Sequence, residues 1–290
     1  NYDDNDRLIE AAYPNQTTQY SYDAAYNRIA EQTTDTQTST VTVDKAYSYN
    51  NRNQIEQATD NLDAANNATY SFDANGNRTS RTEGSTTHHF IYDSRNQLRE
   101  ITRGGSSIGQ FLYDYQNLRI RKQTQSETLR YVYDDQSVLI QTDDVGNPTH
   151  KYDYGPDRLL SLNHSSEGTQ FYLFDALGSV VNLTKPDTSI QTRIQYDAWG
   201  NVRNQVGQSE NVFGYTGHEM DEESGLIYMK ARFYDPVLGM FLNRDSYEGT
   251  VDTPPSLHKY LYAYGNPVVK SIESDSLLSH IIPSQSKGLL

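Results

Sequence analysis

Along most of this chain the apolar residues alternate with polar ones instead of clustering. In "YSFDANGNRTSRT", residues 70 to 82, Tyr70 and Phe72 stand two apart, the spacing that puts both on one face of a β-strand. The Asp73 carboxylate can accept hydrogen bonds from backbone amides two residues on and so begin a turn. Gly76 supplies the positive φ such a turn ends with, and Asn77 tolerates one. Arg78 to Thr82 then predicts a returning polar strand. The pattern is a β-hairpin with one aromatic face.

That pattern recurs. An aromatic followed by Asp or Asn stands at Tyr2, Tyr22, Tyr49, Phe72, Tyr92, Tyr113, Tyr133, Tyr152, Phe174 and Tyr196, in steps of 19 to 27 residues. "YDAWGNV" at 196 to 202 and "FDALGSV" at 174 to 180 keep the turn chemistry, whereas "YDSRNQL" at 92 to 98 puts Asn96 where others have Gly. Self-similarity at such a period signals a repeat architecture. One hairpin is marginal in water, so the units are expected to pair edge to edge and bury their aromatic faces together. An ordinary β-sandwich would vary its strand lengths more. The segment "ARFYDPVLGMFLNRD", residues 231 to 245, stands outside the repeat.

Composition tests this picture. Leu, Ile, Val and Phe total only 58 of 290 residues and the formal charge is −14, values that lean towards disorder. The 24 Tyr weigh the other way, because a solvated coil has no use for periodic aromatics. The charge disfavours a nucleic-acid, heparin or anionic-membrane surface. With no Cys, disulfides, thiol nucleophiles and Cys-based metal sites are excluded. No stretch approaches the roughly 20 apolar residues of a membrane helix. The first residues, Asn1-Tyr2-Asp3, fall inside a repeat, so the chain reads as a piece of something longer.

The "YDxxGN" units resemble the YD repeats of Rhs proteins, of the C components of Tc toxins and of teneurins. The stretch from Phe171 to Leu277 resembles the Rhs repeat-associated core, above all in "FGYTGHEMDEESGLIYMKARFYDPVLGMFLNRD" and "LYAYGNPV". The resemblance covers essentially the whole chain. It implies an all-β fold: a hairpin ribbon coiled into part of a hollow shell, with a core segment plugging one end. Residues 1–200 are assigned to the ribbon, 201–277 to the core segment and 278–290 to a C-terminal remnant. In bacterial relatives the shell encloses a C-terminal toxin, and in many the core segment cuts the chain just beyond a D-P-x-G motif. The implied partners are a C-terminal toxin or effector and the rest of a larger shell, in a secreted or cell-surface protein. No cofactor or metal is implied.

Carried over residue by residue, the self-cleaving site falls on Arg232, which precedes the aromatic-Tyr-Asp-Pro run, and on Asp245, thirteen residues later. The second carboxylate falls on Glu273, in Glu273-Ser274-Asp275-Ser276-Leu277, with the scissile region at Ser276 and Leu277. The resemblance implies two carboxylates sharing a proton, one activating water and the other protonating the leaving amide, with the arginine holding one of them ionised. This sequence departs from that pattern. Glu replaces Asp, Ser replaces the Pro and the Gly, and Ser246 follows Asp245 where relatives have Pro. The extra methylene of Glu273 moves its oxygens by about 1 Å, a displacement that can cost on the order of a hundredfold in rate. The expectation is an inactive site in which Arg232 and Asp245 remain as a buried ion pair; a slow single-turnover protease is the competing reading.

Other chemistry is weak. His88, His89, His150, His164, His218, His258 and His280 show no metal-site spacing. Asp221-Glu222-Glu223 reads as a solvated turn, and Gly104-Gly105 as an ordinary loop. Ten units supply about twenty strands, a ribbon of roughly 95 Å that closes into a ring about 30 Å across, too narrow for a folded domain of about 100 residues. Alone, this chain is expected not to enclose a toxin. The alternative function is a secreted or cell-surface adhesion module binding glycan or protein through its aromatic ribbon.

Overall fold

The aromatic–Asp turns close as the sequence predicts. In the computed structural model, which describes residues 1–272 and 281–283, Asp23 Oδ1 accepts from the amides of Ala25 and Asn27 at 2.9 and 2.8 Å. Asp114 and Asp197 do the same for their own turns. In most units the third residue after the Asp or Asn takes a positive φ, as at Asn53, Gly76, Asn96, Asn117, Gly178 and Gly200, residues that tolerate it. Tyr26 is the exception, with φ 69°; the Arg7 guanidinium lies over its ring, 5.1 Å from the centroid.

Nineteen strands follow, from Glu10–Tyr13 to Val202–Gly207, each antiparallel to the next in sequence. At nine of the aromatics, from Tyr22 to Tyr196, the register shifts by a bulge, which bends the ribbon and leaves one residue unpaired. Two units differ from expectation. At Tyr133 the strand runs on through Asp134, which pairs with Ser137, and the positive φ falls at Asp135 (49°). Tyr152 and Asp153 lie inside the strand Pro148–Tyr154, and the bulge and turn fall at Tyr154, where the Gly155 amide bonds Arg158 O at 2.8 Å. The sequence "KYDYGPD" offers two aromatics, and pairing selects the one beside Gly-Pro.

Several unit tyrosines also tie their hairpin to its predecessor. Tyr22 donates to Leu8 O, Tyr49 to Arg28 O, Tyr113 to Leu98 O and Tyr133 to Arg119 O, all at 2.8 to 2.9 Å. A half-buried phenol costs free energy unless it is satisfied, and here the preceding unit satisfies it. Tyr113→Phe is expected to destabilise the chain by about 1 kcal/mol, read as a lower urea midpoint with an unchanged slope.

The ribbon curls until its ends meet. Tyr13, on the first strand, accepts from the Ala198 amide at 2.8 Å, and Arg203, on the last, lies 3.7 Å above its ring. Inside lies the core segment, residues 208–268. It forms a four-stranded sheet of Glu219–Asp221, Leu226–Met229, Arg232–Asp235 and Met240–Phe241. Four apolar clusters run between ribbon and core segment: around Trp199 and Tyr234, around Tyr47 and Met240, around Phe111 and Phe233, and around Tyr172 and Phe213. Burying each such aromatic contributes roughly 1.5–3 kcal/mol, so neither partner keeps its apolar face covered without the other. Gly239 (φ 67°) makes one contact possible, because a Cβ there would sit 2.7 Å from the Trp199 ring.

No α-helix occurs among the described residues. Short 3₁₀ turns lie in the core segment at Tyr215–Gly217, Pro254–Leu257 and Ala263–Gly265. A fourth, Ala64–Asn66, lies in the ribbon, where Asp63 caps it by accepting from the Ala65 amide.

Candidate functional site

The bulge behind each aromatic–Asp turn frees a backbone amide, and several of these amides are used to hold the core segment. Arg78 N donates to Leu242 O at 2.9 Å, Val180 N to Gly214 O at 3.0 Å, and Arg119 N to the Tyr228 hydroxyl at 3.0 Å. Leu8 N, near the first turn, donates to Gly265 O at 2.9 Å. Side chains of the same turns join in: Asn201 Nδ2 reaches Pro236 O, Gln54 Nε2 the Tyr260 hydroxyl, and Asn27 Oδ1 the His258 ring at 2.8 Å. The core segment is thus stitched to the rim that carries the turns.

Three arginines strengthen the seam. Arg28, Arg78 and Arg119 each stand five residues after a turn Asp or pseudo-equivalent position in the repeat, and all are buried. Arg28 donates to Val237 O at 2.6 Å, and its guanidinium lies among the rings of Tyr20, Tyr47 and Trp199. Arg78 pairs with Asp235 at 2.9 Å. Arg119 pairs with Asp221 at 2.6 Å and Glu219 at 2.7 Å, and lies 4.3 Å from the Tyr228 centroid. Lys122 adds a second contact to Asp221 at 2.7 Å and one to Glu223 at 2.9 Å. Asp221-Glu222-Glu223 is therefore a solvated turn only in part: Glu222 is exposed, but Asp221 is 1% exposed. Burial alone would raise its pKa, but Arg119 and Lys122 hold it below the ordinary value. The sequence signal was there, since Arg119 occupies the repeat position of the apolar Leu98 and Val180, an inward position.

Arg232 and Asp245 meet. Arg232 opens its strand after Lys230, which takes φ 54°. Its Nη2 lies 2.7 Å from Asp245 Oδ2, and its guanidinium lies over the Phe241 ring at 3.7 Å. Asp245 is fixed from two sides: its amide donates to Lys259 O at 2.9 Å, and its Oδ1 accepts from the Tyr247 amide at 2.9 Å. Burial pulls the Arg232 pKa down to about 10, with Asp245 acting against it, so the guanidinium stays charged at neutral pH. The site thus holds a preoriented carboxylate beside a fixed cation. Glu273, Ser276 and Leu277 lie outside the described residues, so of the carried-over site the structure brings together Arg232 and Asp245.

The histidines do not converge on a metal site among the described residues. His150 and His164 meet with their rings tilted by 54° and centroids 4.5 Å apart, and His150 Nε2 contacts Glu210 O at 2.9 Å. Burial pushes the pKa of His150, His218 and His258 down to about 4.

Comparison with known proteins fits this architecture. The teneurin YD-shell family model matches residues 1–268. The chain is 32% identical over 258 residues to the tRNA nuclease WapA of Bacillus subtilis strain 168, covering 87% of this chain and 10% of that protein. It is 24% identical over 215 residues to double-stranded DNA deaminase toxin A of Burkholderia cenocepacia strain H111, covering 61% of this chain and 15% of that protein. The chain therefore spans about a tenth of the length of the WapA relatives it matches. Among solved structures, the crystal structure of TcdB2-TccC3-Cdc42 aligns over 98% of this chain and 19% of its own, with TM-score 0.50 and 15% identity, a likeness of fold. With a 19-stranded antiparallel ribbon and a family match along nearly its full length, the chain belongs to the YD-shell family.

Proposed function

We propose that this chain is the closing segment of a larger Rhs- or Tc-type toxin shell, exported or displayed at a cell surface, that holds or presents a C-terminal effector. The observation that carries this reading is the seam: amides and arginines from successive hairpins all grip one core segment lying within the ribbon. A segment held this way closes the ribbon at the rim of the turns, as a plug would. The relatives named as a tRNA nuclease and a DNA deaminase toxin are far longer than this chain, in keeping with a shell that serves different effectors. On this reading the wall runs on to Gly207, past the boundary set at residue 200, because Val202–Gly207 pairs as the last ribbon strand, and the plug follows from residue 208.

Self-cleavage belongs to the same proposal, in its inactive form. Arg232 and Asp245 act as an ion pair that locks the loop after Phe241 onto Lys259. The second carboxylate is Glu273 in place of Asp, and the Pro and Gly of the scissile motif are Ser274 and Ser276. A chain extended beyond Leu290 by a folded reporter is expected to keep its full mass after expression, with or without Asp245→Asn. Cutting near Leu277 that disappears in Asp245→Asn would overturn the inactive assignment and make the pair part of a working protease.

A further inference from the structure

At the rim opposite the aromatic–Asp turns, the inner wall of the ribbon and the start of the core segment enclose a cavity of about 820 Å³. Its lining is mixed: Ile108, Leu129, Leu183 and Ile194 are apolar, and Glu127, Glu167, Glu210, Glu222 and Glu223 bring five carboxylates. Against them the lining holds Arg103 and Lys122, and Lys122 is already engaged by Asp221 as well as by Glu223. The wall is therefore short of positive charge.

It is also short of hydrogen-bond partners. Thr192 lines the cavity and is 1% exposed, yet its hydroxyl has no partner among the described residues. Glu223 Oε1 is likewise buried without a donor. Buried polar atoms left in this state cost free energy that a bound group can recover. Burial raises the pKa of Glu127, and Glu210 and Glu222 add to the rise against the pull of Lys122. Burial and then Asp221 raise that of Glu223, again against Lys122. Each of these carboxylates is one that a guest cation would stabilise in its ionised form.

We propose that this cavity takes up Lys or Arg side chains of a basic polypeptide segment held in the lumen. The idea rests on the shell reading above and names the chemistry of what the shell holds. A long cationic side chain matches such a mixed lining, because its methylenes can lie on apolar residues while its head pairs with carboxylates. The volume lies within the roughly 300–1,000 Å³ of sites that bury ligands larger than one side chain, which favours a peptide of several residues over an isolated amine.

The test is calorimetric titration of the full chain with hexalysine, acetylated and amidated at its ends, beside hexaglutamate and spermidine. Saturable one-site binding of hexalysine alone is expected. Glu127→Gln/Glu223→Gln should weaken it at least tenfold. Asp4→Asn/Asp252→Asn, which removes the same charge from exposed positions, should leave it unchanged. The proposal is overturned by no saturable binding, by equal weakening in both pairs, or by spermidine binding as tightly as the peptide. Backbone amide shifts in the unaltered chain give a reading independent of variant folding: hexalysine should perturb Thr192 and Glu223, and an undisturbed cavity wall would overturn the proposal. The seam amides and the intact-mass result are read separately in the unaltered chain, so failure here leaves the shell reading standing.

Discussion

Arg119→Met is expected to remove about 3–5 kcal/mol of stability, the loss typical when one partner of a buried ion network is deleted. Arg119 is fully buried and neutralises two acids of the core segment, Asp221 and Glu219. Without it, Lys122 remains for Asp221, while Glu219 keeps, among the described residues, the Tyr131 hydroxyl at 3.2 Å. A domain has roughly 5–15 kcal/mol to lose, so the variant should unfold at much lower urea. Glu219→Gln/Asp221→Asn in the same background should restore part of the loss, because it removes the stranded charges. An Arg119→Met midpoint within experimental error of the parent would show that the seam does not depend on this network.

Acid should unfold the chain in two stages. His150, His218 and His258 are buried with pKa values pushed down to about 4. The unfolded chain takes up these protons near pH 6.5, whereas the folded chain resists until about pH 4, so stability falls as pH drops through that window. A shift of this size in one histidine is worth on the order of 3 kcal/mol by pH 4. Glu127 and Glu223, with raised pKa values, work in the opposite direction and soften the loss as they protonate. Asp221 is held low, so its contribution persists above its ordinary pKa and disappears only below about pH 4. Urea midpoints at pH 7.5, 5.5 and 4.5 should therefore decline steadily, and His258→Gln should flatten the decline. A midpoint unchanged between pH 7.5 and 4.5 would contradict the burial of these rings.

The hairpins were legible because they are local. Asp at one position, a residue that tolerates positive φ three later, and aromatics two apart decide each turn within a dozen residues. The bulges were not legible, since a bulge is a property of two paired strands; hence the turn read at Asp153 lies at Gly155. The acidic run at 221–223 was misread for a related reason. Its partners, Arg119 and Lys122, are about a hundred residues away, and only the folded ribbon brings them near. Arg232 and Asp245 could be named because their segment resembles that of self-cleaving relatives. The grip of Arg28, Arg78 and Arg119 on that segment could have been suspected only by aligning the repeats and asking why charge stands at an inward position.

Amide hydrogen exchange tests the central claim, that the core segment lies within the ribbon and closes it. Leu8, Arg78 and Val180 donate their amides directly across the seam to Gly265, Leu242 and Gly214. If the core segment is the plug, these three amides should exchange only with global unfolding, at the same free energy as the core-segment strand Leu226–Met229. Exchange of the three on a much faster timescale, while the ribbon's own ladder amides stay protected, would mean that the segment is not seated in the ribbon.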